Sequence, residues 1–431
     1  MIFNSYDIRG VYPSEIDEKL AYKIGRNFVS LLKAKEVVVG RDARNSSDKL
    51  FNYLAGGITD AGAKVIDIGL SCTPMFYFVS GKNKASIMIT ASHLPQKYNG
   101  FKLCRENARV LGVEEIKKVI SKSNLVEVKN KGRIIKKDFL KEFIDFNLNF
   151  LKIKRSLKIV YDAGNGMGGY TIPKIFRRIK NVKLIELYTN LDFSFPHHFP
   201  NPLKHETLKD LQKKVLEVNA DFGFATDGDA DRVILVDEKG DIVSSDILIA
   251  LLSKHLLKRK EKIIYDLRSS KVIAETIAAN GGIPIRSKVG HSYINALMRK
   301  EKAVFAGELS GHLYFKENNY AESSFIPVAL VMNILSDGKN LSDVLKPFRK
   351  YYSTGEINFT AKESKLKDLE NKYMKEAKKI DYLDGLTMFF DGWWFNLRRS
   401  NTEDLLRLNL EADTKELMER KKKELVRLIK A

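Results

Sequence analysis

An order of segments that recurs three times constrains this chain most. The first pass runs KEVVVGRDARNSS (35–47), AKVIDIGL (63–70) and ASIMITASH (85–93). The second runs LKIVYDAGNGMGG (157–169), VKLIELYT (182–189) and ADFGFATDGDADR (220–232). The third runs EKIIYDLRSS (261–270), IPIRSKVGHS (283–292) and AVFAGELSGH (303–312). In each pass an apolar, β-branched strand ends in a polar loop, an amphipathic helix follows, and two more strands come after. Strands alternating with helices imply an α/β fold. Self-similarity at this scale implies repeated units. The third strand of every pass runs into a loop of reactive side chains. Ligands of α/β sheets collect at the carboxyl ends of strands, so three chemically different loops are expected to line one cleft.

From about residue 355 the pattern changes. A charged helix (AKESKLKDLENKYMKEAKK) and a strand (LTMFF) precede FNLRR and LLRLNLEA, and a basic helix ends the chain. At 431 residues the chain exceeds one ordinary domain. The expectation is three similar α/β domains with mixed sheets, 1–150, 151–243 and 244–354, plus a smaller C-terminal α+β domain, 355–431, around a central cleft.

Charge narrows the partners. Lys and Arg number 74 against 54 Asp and Glu, a formal net charge of +20, which favours anionic ligands. Nucleic acid is one class and a phosphorylated small molecule another. The basic residues are spread along the chain as solvated helix faces, not gathered into one stripe, and no nucleic-acid recognition motif is present. Two cysteines, Cys72 and Cys104, make neither a disulfide framework nor a zinc site, and reduced thiols are expected. The start, MIFNSYDIRG, lacks the pattern of a signal peptide. No apolar run approaches ~18 residues. A cytoplasmic protein without membrane or nucleic-acid partners is the expectation.

DGDADR (227–232) is the most specific short signal. In an extended loop Asp227, Asp229 and Asp231 point the same way. Their mutual repulsion calls for a hard divalent cation. An EF-hand also begins D-x-D-x-D, but its sixth place needs glycine and here holds Arg232, and the flanks FGFAT and RVILVD read as strands. A dehalogenase-type phosphatase would carry Thr or Val where Asp231 stands. A magnesium site beside a phosphate fits best, because Arg232 adds a phosphate-pairing fork.

TASHLPQKYNGFKLC (90–104) follows the strand ASIMI. Ser92 is not in G-x-S-x-G, so a nucleophile elbow is excluded. Adjacent side chains of an extended segment diverge, which argues against a proton relay between Ser92 and His93. A serine can instead carry a phosphoryl group, with a metal and an acid/base group to serve it. Lys102 could pair with phosphate or act as that acid/base. Pro95 and Asn99-Gly100 read as turn-makers that bring Lys102 back towards Ser92. GELSGH (307–312) offers Glu308 and Ser310 to vicinal hydroxyls, with His312 beside them. KVGHS (288–292) adds Lys288 and His291, and YDIRG (6–10) adds Tyr6 and Arg9. RRSNTED (398–404) is an anion cradle of side-chain and backbone donors.

Together YDIRG, TASHLP with YNGFK, DGDADR, KVGHS, GELSGH and RRSNTE resemble the α-D-phosphohexomutases, most closely the bacterial and archaeal phosphomannomutase/phosphoglucomutase group. The likeness spans nearly the whole chain, with the motifs in the family's order. It implies a four-domain fold around a cleft. It implies that Ser92 is the phosphorylated serine, and that its phosphate and Asp227, Asp229 and Asp231 bind Mg²⁺. Arg9, His93, Lys102 and His291 match residues around Ser92 and proton transfer, with the general base left open among them. Tyr6, Arg232, Arg268 and Lys288 match cleft residues near the substrate. Glu308 and Ser310 match the pair that reads sugar hydroxyls. Arg398, Ser400, Asn401 and Thr402 match the loop that grips the substrate's phosphate. The chain departs from the family in Leu94 for Asn, in Leu309 for Met, and in Arg399 and Asp404 for two prolines.

The implied reaction interconverts hexose 1-phosphate and hexose 6-phosphate, of mannose or glucose, through a hexose 1,6-bisphosphate that turns round without leaving. Leu309 is nearer the GEMSGH loops of mannose and glucose enzymes than the GEQSGH loops of phosphoglucosamine mutases, which remain the alternative. A phosphatase and a basic nucleic-acid-binding protein are the rivals of other classes. A phosphosugar substrate and a monomer or homodimer complete the expectation.

Overall fold

The computed structural model describes residues 7–82, 84–121, 130–400 and 405–431. The threefold rhythm is there in the sheets. In the first, Glu36–Arg41 pairs in parallel with Lys64–Leu70 on one side and Ala85–Ile89 on the other, and Tyr98–Arg105 runs antiparallel to Ala85–Ile89. In the second, Leu157–Asp162 lies between Val182–Leu187 and Phe222–Thr226, both parallel, with Val233–Asp237 antiparallel beyond. In the third, Lys262–Asp266 lies between Ile283–Ser287 and Phe305–Gly307, with Leu313–Phe315 antiparallel beyond. One strand order, built three times, makes these mixed sheets. The middle strands are continuous apolar runs because helices cover both faces of a parallel sheet; Val37, Val38 and Val39 in EVVVGR are all buried.

The fourth sheet is wholly antiparallel, in the order Tyr352–Phe359, Leu406–Ala412, Trp393–Arg399, Leu386–Phe390, Lys379–Asp381. Its first member is a strand that the residue pattern does not predict. YSTGEINF carries an irregular register between Ser353 and Glu356, and that irregularity breaks the alternation that would have marked it. The helices Ser364–Tyr373 and Lys415–Lys430 complete this domain. Thr414 caps the second, its Oγ1 accepting from Leu417 N at 3.2 Å.

One apolar core passes without a break from the second sheet to the third, from Ile159 and Phe224 to Ile263 and Phe305. Phe176 and Phe325 meet edge to face across it, 5.7 Å between ring centres. The fourth domain keeps a separate core around Met388, Phe395 and Leu408.

The carboxyl ends of the equivalent strands Ala85–Ile89, Phe222–Thr226 and Phe305–Gly307 lead into the loops of Ser92, Asp227 to Asp231 and Glu308 to His312. The three loops touch. Ser92 Oγ donates to Asp227 Oδ2 at 2.8 Å, and His312 Nε2 lies 3.1 Å from Asp231 Oδ1. Among the described residues no helix is long and apolar enough to cross a membrane. Cys72 and Cys104 are buried and unbonded to each other.

Candidate active site

Ser92 has φ of 51°, a left-handed conformation that costs a non-glycine residue about 1–3 kcal/mol. Its amide donates to Thr90 Oγ1 at 3.0 Å, which helps to hold it there. This geometry corrects the expectation that Ser92 and His93 diverge. The segment is not extended at Ser92, and Ser92 Oγ lies 3.2 Å from His93 Nδ1. Burial holds the His93 pKa well below the ordinary histidine value, and Arg232 and Arg9 add to the effect.

Asn99-Gly100 is a second correction. It is no turn but part of the strand Tyr98–Arg105, paired with Arg9 and Gly10. Gly100 is required there because a Cβ would stand 2.3 Å from the carbonyl oxygen of Ile8. The Asn99 side chain is buried and donates to Ser46 Oγ at 2.7 Å. The reversal comes earlier, where Tyr98 N donates to Pro95 O at 2.9 Å. Lys102 does return to the site: its Nζ lies 2.5 Å from Asp231 Oδ2 and 2.8 Å from Asp229 Oδ2. Burial alone would favour neutral Lys102, but the carboxylates of Asp229, Asp231 and Asp7 outweigh it and raise its pKa.

Asp227, Asp229 and Asp231 are all buried, and one oxygen of each lies within 4.8 Å of one oxygen of the others. The strands Phe222–Thr226 and Val233–Asp237 flank them, which rules out the helical frame of an EF-hand. Burial pushes Asp227 well up, with the neighbouring carboxylates of Asp231 and Asp229 adding to it. Asp231 is held well down: burial opposes its charge, but Lys102 and His312 prevail. Lys102 therefore neutralises Asp229 and Asp231 at contact distance, while Asp227 faces the more distant Arg232 Nε at 3.7 Å. Asp229 Oδ1 is buried without a hydrogen-bond partner among the described residues. Three converging buried carboxylates with one orphaned acceptor, all-oxygen in donor chemistry, fit a hard divalent cation.

The remaining expected residues gather around this centre to different degrees. Arg9 Nη2 donates to Asp7 Oδ2 at 2.8 Å, and Asp7 Oδ1 lies 3.6 Å from His291 Nε2. Burial lowers the His291 pKa against the pull of Asp7. Arg232 Nε approaches Asp227 Oδ2 at 3.7 Å and His312 Nε2 at 3.3 Å. His312 Nε2 can accept from that arginine or donate to Asp231, but one tautomer cannot do both. Ser310 Oγ lies 3.0 Å from His312 Nδ1. Glu308 accepts from the Tyr314 hydroxyl and, at 3.1 Å, from Gly290 N.

Arg268 is held by Asp266 through Nε at 3.2 Å and Nη2 at 2.8 Å, and reaches Glu356 of the fourth domain at 3.4 Å. Arg398, 2% exposed, gives Nη2 to the same Glu356 at 3.0 Å, while its Nε has no hydrogen-bond partner among the described residues. Ser400 is buried, its amide bonded to Leu405 O at 2.8 Å. Lys288 is the outlier, an exposed side chain 5.9 Å from the Tyr293 ring centre. Tyr6, Asn401 and Thr402 lie outside the described residues.

Sequence reasoning missed several contributors. Thr73, at the start of a helix, donates Oγ1 to Asp229 Oδ2 at 2.6 Å and its amide to Asp229 O at 2.9 Å. Glu356 gathers Arg268, Arg398 and, at 3.1 Å, Arg407. Arg44 grips the loop of Ser92 from beneath. The quoted RDARNSS contained Arg44, but no local pattern says which loop an arginine will reach.

Four domain models match consecutive parts of the chain: phosphoglucomutase/phosphomannomutase alpha/beta/alpha domains I, II and III at residues 1–127, 137–240 and 244–351, and the C-terminal domain at 356–428. The chain belongs to the phosphoglucomutase/phosphomannomutase family, a class of intramolecular phosphotransferases. A phosphomannomutase of Methanocaldococcus jannaschii is 40% identical, over 100% of this chain and 97% of that one. A phosphoglucomutase of Neisseria meningitidis is 35% identical, over 97% and 94%. The crystal structure of a phosphoglucomutase/phosphomannomutase family protein from Burkholderia thailandensis superposes with a TM-score of 0.92 at 30% identity, covering 100% of this chain and 97% of that chain.

Proposed function

We propose that this enzyme interconverts the 1- and 6-phosphates of mannose or glucose, with phospho-Ser92 as donor and acceptor of the phosphoryl group. The observation that carries this reading is the contact of Ser92 Oγ with Asp227 at 2.8 Å, at the edge of a buried carboxylate triad.

Asp227, Asp229 and Asp231, with the serine's phosphate, would hold Mg²⁺. When bound, the ion neutralises charge on the phosphoryl group in transfer. Lys102 and Arg9, both held charged by the surrounding carboxylates, stabilise the same group from the protein side. The imidazoles of His93 and His291, kept neutral by burial, are the groups able to accept the sugar hydroxyl's proton. The hydroxyl oxygen forms a bond to phosphorus, the bond to Ser92 Oγ breaks, and Ser92 Oγ takes a proton. The hexose 1,6-bisphosphate turns round, and Ser92 receives the other phosphate by the reverse chemistry.

Glu308 and Ser310 read the sugar hydroxyls in both poses. Arg398, Ser400, Asn401 and Thr402 hold the phosphate that is not reacting, and Tyr6, Arg232, Arg268 and Lys288 line the cleft near the substrate.

Incubation with glucose 1,6-bisphosphate should add one phosphoryl mass, mapping to the peptide of Ser92. Ser92→Ala should lose that mass and lower turnover by about 10³-fold or more. Full turnover in Ser92→Ala would refute the reading. Assays of mannose, glucose and glucosamine phosphates side by side rank the substrates.

A further inference from the structure

Arg44 lies in the loop after the strand Glu36–Arg41, 48 positions before Ser92, and its side chain is fully buried. Guanidinium carries five N–H donors in a planar fork. Here the acceptors equal them in number. Nη2 donates to Ser92 O at 2.8 Å and Leu94 O at 2.6 Å. Nη1 donates to Pro95 O at 2.8 Å and Tyr98 O at 3.0 Å. Nε donates to Asp42 Oδ2 at 3.2 Å. Four of these acceptors are backbone carbonyls of residues 92–98, the segment that carries Ser92 and ends on the first residue of the strand Tyr98–Arg105.

The other surfaces of the clamp are closed as well. Asp42 is itself fixed, its Oδ1 accepting from Ser47 Oγ at 2.6 Å and from Arg44 N at 3.1 Å. Phe193 and Phe195 of the second domain lie against the guanidinium, with ring centres 5.3 and 5.8 Å from its carbon. The carbonyl of Ser92 is also backed by the aspartate loop, since a Cβ on Gly228 would stand 2.4 Å from Ser92 O.

We propose that Arg44 is a positioning residue for phosphoryl transfer, holding the Ser92 loop in one strained shape against the aspartate loop whether or not the serine is phosphorylated. This rests on the reading of Ser92 as the phosphoryl carrier. That chemistry needs the same oxygen to leave in one half-reaction and attack in the other, with the sugar turned round between them. A loop free to relax from φ of 51° at Ser92 would present the oxygen differently in the two steps. Five bonds from one planar, always-charged group prevent the relaxation. Lysine, with three donors on a flexible stem, cannot reproduce them.

The test compares the wild-type enzyme with Arg44→Lys, Arg44→Ala and Phe193→Leu, using glucose 1-phosphate and glucose 1,6-bisphosphate. Arg44→Lys should lower kcat about 100-fold with KM for glucose 1-phosphate changed less than about threefold, because misplacement of the reacting group and not sugar binding is affected. Phosphoserine formed from the bisphosphate should hydrolyse faster in this variant than in the wild type. Added guanidinium should restore part of the activity of Arg44→Ala. Phe193→Leu keeps all five donors and should stay within about threefold of wild-type kcat, even if its melting temperature falls as far as that of Arg44→Lys. Arg44→Lys with wild-type kcat and phosphoserine lifetime would overturn the proposal, as would equal kcat losses in Arg44→Lys and Phe193→Leu that track melting temperature alone. A wild-type enzyme that isomerises its substrate without phosphorylating Ser92 would instead overturn the reading beneath it.

Discussion

The second and third domains are joined by carbon, and the third and fourth by charge. Ile159, Phe224, Ile263 and Phe305 belong to one continuous buried core. The fourth domain has its own core and meets the third through Arg268–Glu356 at 3.4 Å, Arg286–Asp381 at 2.6 Å and Lys271–Asp413 at 2.5 Å. An apolar seam resists opening, because parting it exposes area at about 25 cal/mol per Å². The ion pairs lie at a partly solvated boundary, from 8% and 22% exposed at Arg268 and Glu356 to 34% and 47% at Lys271 and Asp413, so water reaches part of this seam and eases its separation. The difference matches what each seam has to do. On the proposed reading, the apolar seam keeps the aspartate and sugar loops in fixed geometry, while the ionic seam carries Arg398, which has to admit, hold and release a phosphosugar.

Two substitutions separate the seams, one in each. Phe176→Ala removes one of the two rings that meet across the apolar seam. It should cost about 3–5 kcal/mol, as large-to-small core changes do, and calorimetry should show the second and third domains melting together at a lower temperature. Separate melting of those two domains would contradict a shared core. Asp381→Ala breaks an ion pair whose side chains are 19% and 22% exposed. It should cost about 1–3 kcal/mol of stability, because the partly buried Arg286 loses an acceptor. Small-angle scattering of the substrate-free enzyme should report a larger radius of gyration, because the fourth domain is less restrained. A steep stability loss with unchanged scattering would mean that the ionic seam is structural after all.

The smallest effect concerns a charge pair held within the second domain. Burial opposes protonation of His198, but its hydrogen bond to Asp162, 3.0 Å at Oδ2, outweighs burial and raises its pKa. A raised folded-state value means that the stabilisation is complete below the ordinary histidine value of about 6.5 and fades as pH rises through the folded value. The melting temperature should therefore decline above neutral pH, by an amount worth roughly 1 kcal/mol or less. His198→Asn should flatten that part of the profile. An unchanged slope in the variant would assign it to other groups.

Much of the site was legible because its chemistry is local in sequence. Three aspartates at alternate positions and a serine after an apolar strand stand out as candidates without a fold. The periodic repeat placed their loops at equivalent strand ends. What failed was conformation at single residues. Ser92 and His93 were expected to diverge because extended backbone is the default, and the left-handed Ser92 brings them to 3.2 Å. Asn99-Gly100 has the composition of a turn, and strand pairing overrode it.

The three α/β units, the distinct fourth domain and the carboxylate cluster are written in the order of residues alone, because periodicity and like-charge repulsion act over a few neighbouring residues. Packing in three dimensions set the rest: that Lys102 neutralises Asp229 and Asp231 while Arg232 approaches Asp227, that Glu356 gathers three arginines, and that Arg44 reaches four carbonyls of a segment that begins 48 residues away. Those partners are set by how domains pack, and a side chain's reach in space leaves no period in the sequence.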